Sequence, residues 1–328
     1  MTDGPVEVAR RLAGELLAPA AAEVDATGVL PRGQLDALAD AGLYGLVGPA
    51  GAGGLDADGA TLAAVVEELA AGDLATAFVW LQHHGVVGRL AATGLHPDLL
   101  ADLCAGRRRA GIALQAATRP DAAPVTLRRH GGDPVLDGAV PWVTGWGLVD
   151  VVLVAARDGE DVAFVLVDAV EGPGLGVVPQ SLVAVQASAT VELRLTGHRV
   201  SAGRLLGSTP LSRVRAGDAA GLRLNGSLAL GLVRRCCRMV GPSPLDGELD
   251  AARARLDAAG PADLPAARAE AAALAHRASG ALTVATGSAS VRAGSVAERT
   301  AREALFLLVF GSRPAIRAAL LGRFGAAR

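Results

Sequence analysis

The chain contains no lysine; each of its 31 basic residues is arginine. That removes Schiff-base and lysine-nucleophile chemistry, and alongside abundant alanine, glycine, leucine and valine it reads as the coding bias of a GC-rich genome. Aromatic residues are scarce, 3% of 328 residues, with one tyrosine and three tryptophans. Cysteine is limited to Cys104 and the adjacent Cys236-Cys237. These lack CxxC spacing and a histidine at metal-ligand distance, so neither a zinc site nor a disulfide framework is supported, and buried thiols are expected. Neither sign of charge is in excess, and the formal net charge of −2 gives no electrostatic case for nucleic acid or an anionic membrane. No stretch reaches the roughly 18–20 uninterrupted apolar residues of a membrane span. The region after Met1 has no basic segment leading into an apolar one, so a cytoplasmic location without membrane contact is expected. Asn225-Gly226-Ser227 matches a glycosylation sequon formally, which without a secretory signal carries no weight.

What is present is apolar. Hydrophobic residues make up 51% and charged residues 20%, which excludes a disordered chain. The length allows two or three domains at roughly 100–200 residues each. From Val6 to about Arg107 apolar residues recur at three- and four-residue spacing, which predicts a helical domain over 1–108. One of its helices should end at Gly42, and another over Ala60–Leu69 should turn Glu67-Glu68 toward water or a neighbour. Gly51-Ala52-Gly53-Gly54 has no strand before it and completes neither dinucleotide nor P-loop spacing, so it is not read as a phosphate loop. Around Gly111 the texture changes to short β-rich runs, 111–116, 125–129, 134–140, 151–156, 162–167, 183–185 and 190–195, which predict a small sandwich or barrel over 109–206. Helical periodicity returns over 207–328, with candidate helices at 226–240, 245–258, 266–282 and 297–310. The order is helical, β, helical.

Between two of the β runs lies Pro141-Trp142-Val143-Thr144-Gly145-Trp146. On an extended strand Trp142 offers a rigid aromatic face, and Thr144, two residues on, offers a hydroxyl and a backbone N–H on the same side. Such groups suit a flavin ring; they equally suit a buried tryptophan in a strand that ends in a β-turn at Thr144-Gly145. His83-His84 could be taken for a ligand pair, but neighbours on a helix point well apart and cannot easily share a metal, so the pair is assigned to packing.

The order of elements and motifs resembles the acyl-CoA dehydrogenase family. Asp25-Ala26-Thr27-Gly28 with Pro31, Gly42-Leu43, Pro49 to Gly54, Glu67-Glu68-Leu69-Ala70 and Asp73 to Ala77 follow that family's N-terminal pattern in order. Trp142-Val143-Thr144 matches its Trp-Ile/Val-Thr motif. The resemblance implies an α+β fold with an N-terminal helical domain, a small middle β-barrel or sandwich domain and a C-terminal helical bundle at the oligomer interface. It implies FAD as cofactor, an acyl-CoA substrate, oxidation of a CH–CH bond in fatty acid or lipid metabolism, and an electron acceptor flavoprotein. For the flavin it points to Trp142, Val143 and Thr144, to Leu114 and Gln115 where a Leu-Thr-Glu-Pro motif normally opens the β domain, and to Gly287, which keeps one glycine of a Gln-x-x-Gly-Gly stretch.

The chain departs from the family where a catalytic base is required. The usual glutamate directly precedes the glycine of the C-terminal segment, and Phe310 stands there, before Gly311. A second subgroup carries its glutamate on the first C-terminal helix, and Gly221 occupies that position. Neither side chain accepts a proton. The nearest carboxylates are Asp218, about one turn from Gly221, and Glu303, each read as a surface or helix-end group. Val240-Gly241-Pro242-Ser243-Pro244 replaces an Arg- and Phe-containing stretch that reaches the flavin of a neighbouring subunit, whereas Arg302 fits the family's Arg-Asp/Glu-Ala pattern. The chain is thus similar to a short, divergent member that lacks the usual glutamate. Three readings follow: a dehydrogenase active within an oligomer (a homodimer or homotetramer), a half-site subunit of a hetero-oligomer with a full-length homologue, and a flavin monooxygenase on the same scaffold.

Overall fold

The computed structural model describes residues 3–118, 123–216, 219–311 and 313–326. Six helices come first: α1 (Pro5–Leu12), α2 (Ala18–Thr27), α3 (Arg32–Asp40), α4 (Gly59–Gly72), α5 (Leu74–Thr93) and α6 (Pro97–Cys104). Their ends follow local chemistry. The side chains of Asp58 and Asp73 accept from the backbone N–H groups of Thr61 and Thr76, capping α4 and α5. Past α3 the chain turns at Gly42 with φ +75°, the left-handed geometry that glycine adopts at no steric cost. In the Gly-rich patch a side chain on Gly54 would collide with the backbone of Gly48, so these glycines let the chain fold tightly on itself.

Eight strands follow: β1 (Ala110–Ala113), β2 (Thr126–His130), β3 (Asp133–Val143), β4 (Val151–Asp158), β5 (Asp161–Asp168), β6 (Leu175–Pro179), β7 (Val191–Arg199) and β8 (Leu205–Pro210). They form one mixed sheet in the order β6-β7-β3-β2-β4-β5-β8, with β1 parallel to β4 off that path. β4 shows why its sequence is an unbroken apolar run. Val152, Val154 and Ala156 enter one core, with Leu136, Val140 and Leu193, while Val151, Leu153 and Ala155 enter another that joins the sheet to Val86, Leu90 and Leu99 of α5 and α6. Three parts of the sheet differ from expectation. Residues 183–185 are not a strand, because Val185 sits at φ +50° and leads into a 3₁₀ turn, and the edge strands β6 and β8, rich in glycine and proline, carry little β pattern. The expected run 111–116 stops at Ala113, after which α7 (Gln115–Thr118) begins.

After α8 (Leu211–Ala216) come α9 (Ala219–Val240), α10 (Pro244–Ala258), α11 (Leu264–Thr286), α12 (Val296–Val309) and α13 (Pro314–Arg323). α9 and α11 are the spine, packing on each other and, through α9, on α4. The approach of α9 to α4 is close: a Cβ on Gly231 would lie 2.5 Å from the carbonyl oxygen of Glu67. Glu67 and Glu68, expected to face water or a neighbour, are 2% and 1% exposed. Glu67 accepts from Arg234 and Arg253, and Glu68 from Arg10 and Arg238, so these carboxylates tie α4 to α1, α9 and α10. Among the described residues no helix is long and apolar enough to cross a membrane.

Candidate functional site

At Trp142 the backbone leaves the extended region. Its φ is +64°, and the pairing of β3 with β7 slips between Val140 and Val143. A tryptophan at positive φ is strained by about 1–3 kcal/mol, and such strain gathers where a side chain must be aimed. Trp142 is 48% exposed, which excludes the buried-tryptophan reading, while Val143 is buried and pairs with Val191. The expectation of Trp142 and Thr144 side by side on a regular strand is corrected by this bulge: the indole stands out to solvent and the Thr144 hydroxyl is buried.

The strap that follows is held from below by the segment preceding β7. Gly145 donates its N–H to the Ser188 carbonyl at 2.9 Å and Trp146 donates to Ala189 at 3.1 Å. The Thr144 and Thr190 hydroxyls lie 3.3 Å apart, and those of Thr190 and Ser188 2.7 Å apart, all three residues being buried. Val185 and Ala189 in this segment are also at positive φ. Sequence reasoning passed over Ser188 and Thr190; the signal was two hydroxyls two residues apart at the mouth of a strand.

Two other elements close on the strap. A Cβ on Gly111 of β1 would meet the Thr144 carbonyl oxygen at 3.2 Å, and one on Gly145 would meet Val149 at 3.1 Å and Val79 of α5 at 3.5 Å. Beside Val79, the ring of Phe78 packs edge-on against Phe310 and Phe306, with centroids 4.7 Å and 5.2 Å away. Phe306 and Phe310 stack at 5.1 Å. This aromatic cluster brings the end of α12 to the same corner. Gly311 then turns at φ +58°, where a Cβ would lie 3.0 Å from the side-chain nitrogen of Asn225 on α9. Gly221 is four residues before Asn225, one turn away on the same side of the helix. The Phe310–Gly311 end of α12 therefore meets α9 one turn from Gly221. Arg268, fully buried and among the described residues without an acidic partner, donates to the carbonyls of Leu307 and Phe310 and fixes that end of α12, and burial pushes its guanidinium down to about 10.

Glu303 is no surface carboxylate, which corrects the expectation. It is 3% exposed, accepts from Arg235 and lies 3.7 Å from the Arg299 Nε. Burial pushes its carboxyl above the ordinary carboxylate range, opposed by Arg235 and Arg299. Arg235 also donates to the carbonyls of Ala70 and Ala71, so the group is a buried tie between α4, α9 and α12. Asp218 lies outside the described residues. Arg302 bonds Asp25 at 3.0 Å and the Val183 carbonyl at 2.8 Å, joining α12 to α2 and to the loop before Ser188. Leu114 packs in the layer between the sheet and α5–α6, Gln115 opens α7, and Gly287 caps α11 at an exposed corner with φ +68°.

His83 and His84 are packing residues, as expected. The His83 Nδ1 accepts from the Ala110 N–H at 3.2 Å, and its ring stands edge-on to Tyr44; His84 stands edge-on to Trp80. Burial pushes His83 down to about 3 and His84 well below its ordinary range, so both are neutral. No metal-binding cluster occurs among the described residues, and Cys104, Cys236 and Cys237 are buried free thiols.

Residues 6–96 match the family described as "Acyl-CoA dehydrogenase, N-terminal domain". A 3-sulfinopropanoyl-CoA desulfinase of Variovorax paradoxus is 31% identical over 159 residues, 47% of this chain and 40% of that protein. A cyclohexane-1-carbonyl-CoA dehydrogenase of Geobacter metallireducens is 33% identical over 215 residues, 61% of this chain and 56% of that one. The matched part thus spans about half the length of these curated relatives. The solved glutaryl-CoA dehydrogenase of Mycobacterium smegmatis in complex with FADH2 superposes with a TM-score of 0.82 at 17% identity, over 99% of this chain and 94% of that one. The matched family and the curated relatives indicate the acyl-CoA dehydrogenase family, and the solved structure shares the fold of α domain, mixed sheet and α domain.

Proposed function

We propose that the chain holds FAD at Trp142–Thr144 and takes part in the α,β-dehydrogenation of an acyl-CoA thioester within an oligomer, the α-proton base coming from a partner subunit. The residues at the strap fit a flavin: an open indole face, a buried hydroxyl pair behind it, and backbone at Gly111 and Gly145 kept free of side chains. Bound there, FAD would supply the acceptor for the β-hydride. The chain's own residues would stack on the ring through Trp142, offer it a hydrogen bond from Thr144, and exclude water at the corner through Phe78, Phe306 and Phe310. Among the described residues the corner offers no proton acceptor, and a general base must stand within hydrogen-bond reach of the proton it takes.

The observation that carries this reading is the meeting of the Phe310–Gly311 end of α12 with α9 one turn from Gly221, beside an otherwise intact strap. The engagement of Glu303 with Arg235 argues against it as a substitute. This favours a hetero-oligomer with a full-length homologue over a homodimer or homotetramer, and an electron acceptor flavoprotein would complete the turnover. The Variovorax relative is named for desulfination, so family membership alone leaves the reaction open and the site has to decide it.

The test is exchange of the α-proton of butyryl-CoA and of longer saturated acyl-CoA thioesters in deuterated water, followed by proton NMR. The chain alone should leave the α-proton in place, and the chain assembled with a glutamate-bearing homologue should exchange it. Exchange by the chain alone would overturn the reading.

A further inference from the structure

The buried hydroxyls of Ser188, Thr190 and Thr144 form a chain whose polarity can be worked out by counting protons. Each hydroxyl has one proton to donate and can accept two. Two hydrogen bonds, at 2.7 Å and 3.3 Å, use two of the three protons. The third must lie at Ser188, at Thr190 or at Thr144. Among the described residues the Ser188 and Thr190 hydroxyls have no bond besides these, and the two residues are 0% and 4% exposed. Thr144 is 4% exposed as well, so a spare proton on any of the three would be a buried donor without an acceptor unless a ligand at the strap supplied one, and such a donor costs more than a hydrogen bond gains. Only if Ser188 donates to Thr190 and Thr190 donates to Thr144 does the spare proton fall on Thr144, the member two residues from the exposed Trp142.

We propose that Thr190, oriented by Ser188, is a positioning residue that makes the Thr144 hydroxyl a hydrogen-bond donor toward a flavin ring nitrogen. The inference rests on the flavin reading above and deepens it. The same segment is fixed to the strap by the Gly145 and Trp146 backbone bonds, so removing one hydroxyl leaves the backbone in place and alters only the direction of the Thr144 proton. Without Thr190 as donor, Thr144 loses the partner that fills its acceptor position, and its proton is no longer directed at the ring.

The experiment is FAD titration, by visible absorption and flavin fluorescence, of the protein purified in whichever state binds FAD, alone or with a homologous subunit. Five forms are compared: parent, Thr190→Val, Thr190→Ser, Thr144→Val and Thr190→Val combined with Thr144→Val. Thr190→Val should weaken FAD binding about five- to tenfold, the worth of one hydrogen bond, and move the visible flavin band. Thr190→Ser, which keeps the hydroxyl, should restore both affinity and spectrum. In the Thr144→Val background the Thr190 change should add nothing. Thr190→Val with parental affinity and spectrum would overturn the inference, as would a Thr190 effect of full size when Thr144 is already valine. A parent that binds no FAD in either state would instead overturn the flavin reading, and this inference with it.

Discussion

Replacing Glu303 with glutamine should unfold the protein more readily without touching a catalytic group. The carboxylate is 3% exposed and faces two buried guanidiniums, Arg235 in direct hydrogen bond and Arg299 at 3.7 Å. At an effective dielectric of about 20, a charge pair at that separation attracts by about 4 kcal/mol. Desolvation offsets much of this while the pair is intact, but removing one partner leaves the desolvation of the others uncompensated. Breaking a buried pair in this way costs roughly 3–5 kcal/mol. For a chain of this size that corresponds to a drop in midpoint temperature of about 4–7 °C, measured by circular dichroism during heating or by urea titration. The double variant Glu303→Leu with Arg235→Met, which removes both partners of the direct pair, should lose less than the two single changes summed, with a coupling of about 0.5–3 kcal/mol. A Glu303→Gln protein within about 1 kcal/mol of the parent would refute the reasoning, and would reopen Glu303 as a group kept for chemistry.

Stability should also fall on mild acidification: His83 ordinarily titrates at 6.5 and is pushed down to about 3 by burial, so its contribution is complete above 6.5 and is lost progressively as pH falls toward 3. From pH 7 to pH 5 the loss is roughly 2 kcal/mol, His84 acts in the same direction, and His83→Phe should flatten the profile in urea melts taken across that range. Trp142→Gly should relieve the positive-φ strain and stabilise the flavin-free protein by about 1 kcal/mol while abolishing FAD binding, checked by paired melts and titrations. Gly231→Ala should press a methyl group into the Glu67 carbonyl and force α9 away from α4, at about 1–3 kcal/mol in thermal unfolding.

The sequence was most legible where one force sets the local structure. The four C-terminal helices over 219–309 follow their apolar periodicity, and β4 and β5 follow from runs of valine and leucine buried on both faces. It was least legible where tertiary contact overrides pattern. β6 and β8 carry glycine and proline and exist because β7 and β5 offer them hydrogen bonds. The Trp142 bulge cannot be read from Pro-Trp-Val-Thr, since the backbone reaches φ +64° only through pairing with β7 and the hydroxyl contacts beneath. Glu303 looked like a helix-surface residue because its partner, Arg235, lies 68 residues away in sequence. The absence of a glutamate at Phe310 and Gly221 was plain from the residues, but the aromatic cluster that fills the corner involves Phe78, which no motif marks.

The most direct test of the central claim is the flavin content of the chain with its own strap intact and altered. Native mass and visible absorption would be measured for the parent and for the Trp142→Ala, Thr144→Val double variant, each purified alone and after co-expression with a glutamate-bearing homologue. FAD is expected in the parent complex at more than the homologue's own share, with that extra flavin lost in the double variant although the complex still forms. Equal flavin content in the parent and variant complexes would contradict it, because the strap would then hold no flavin.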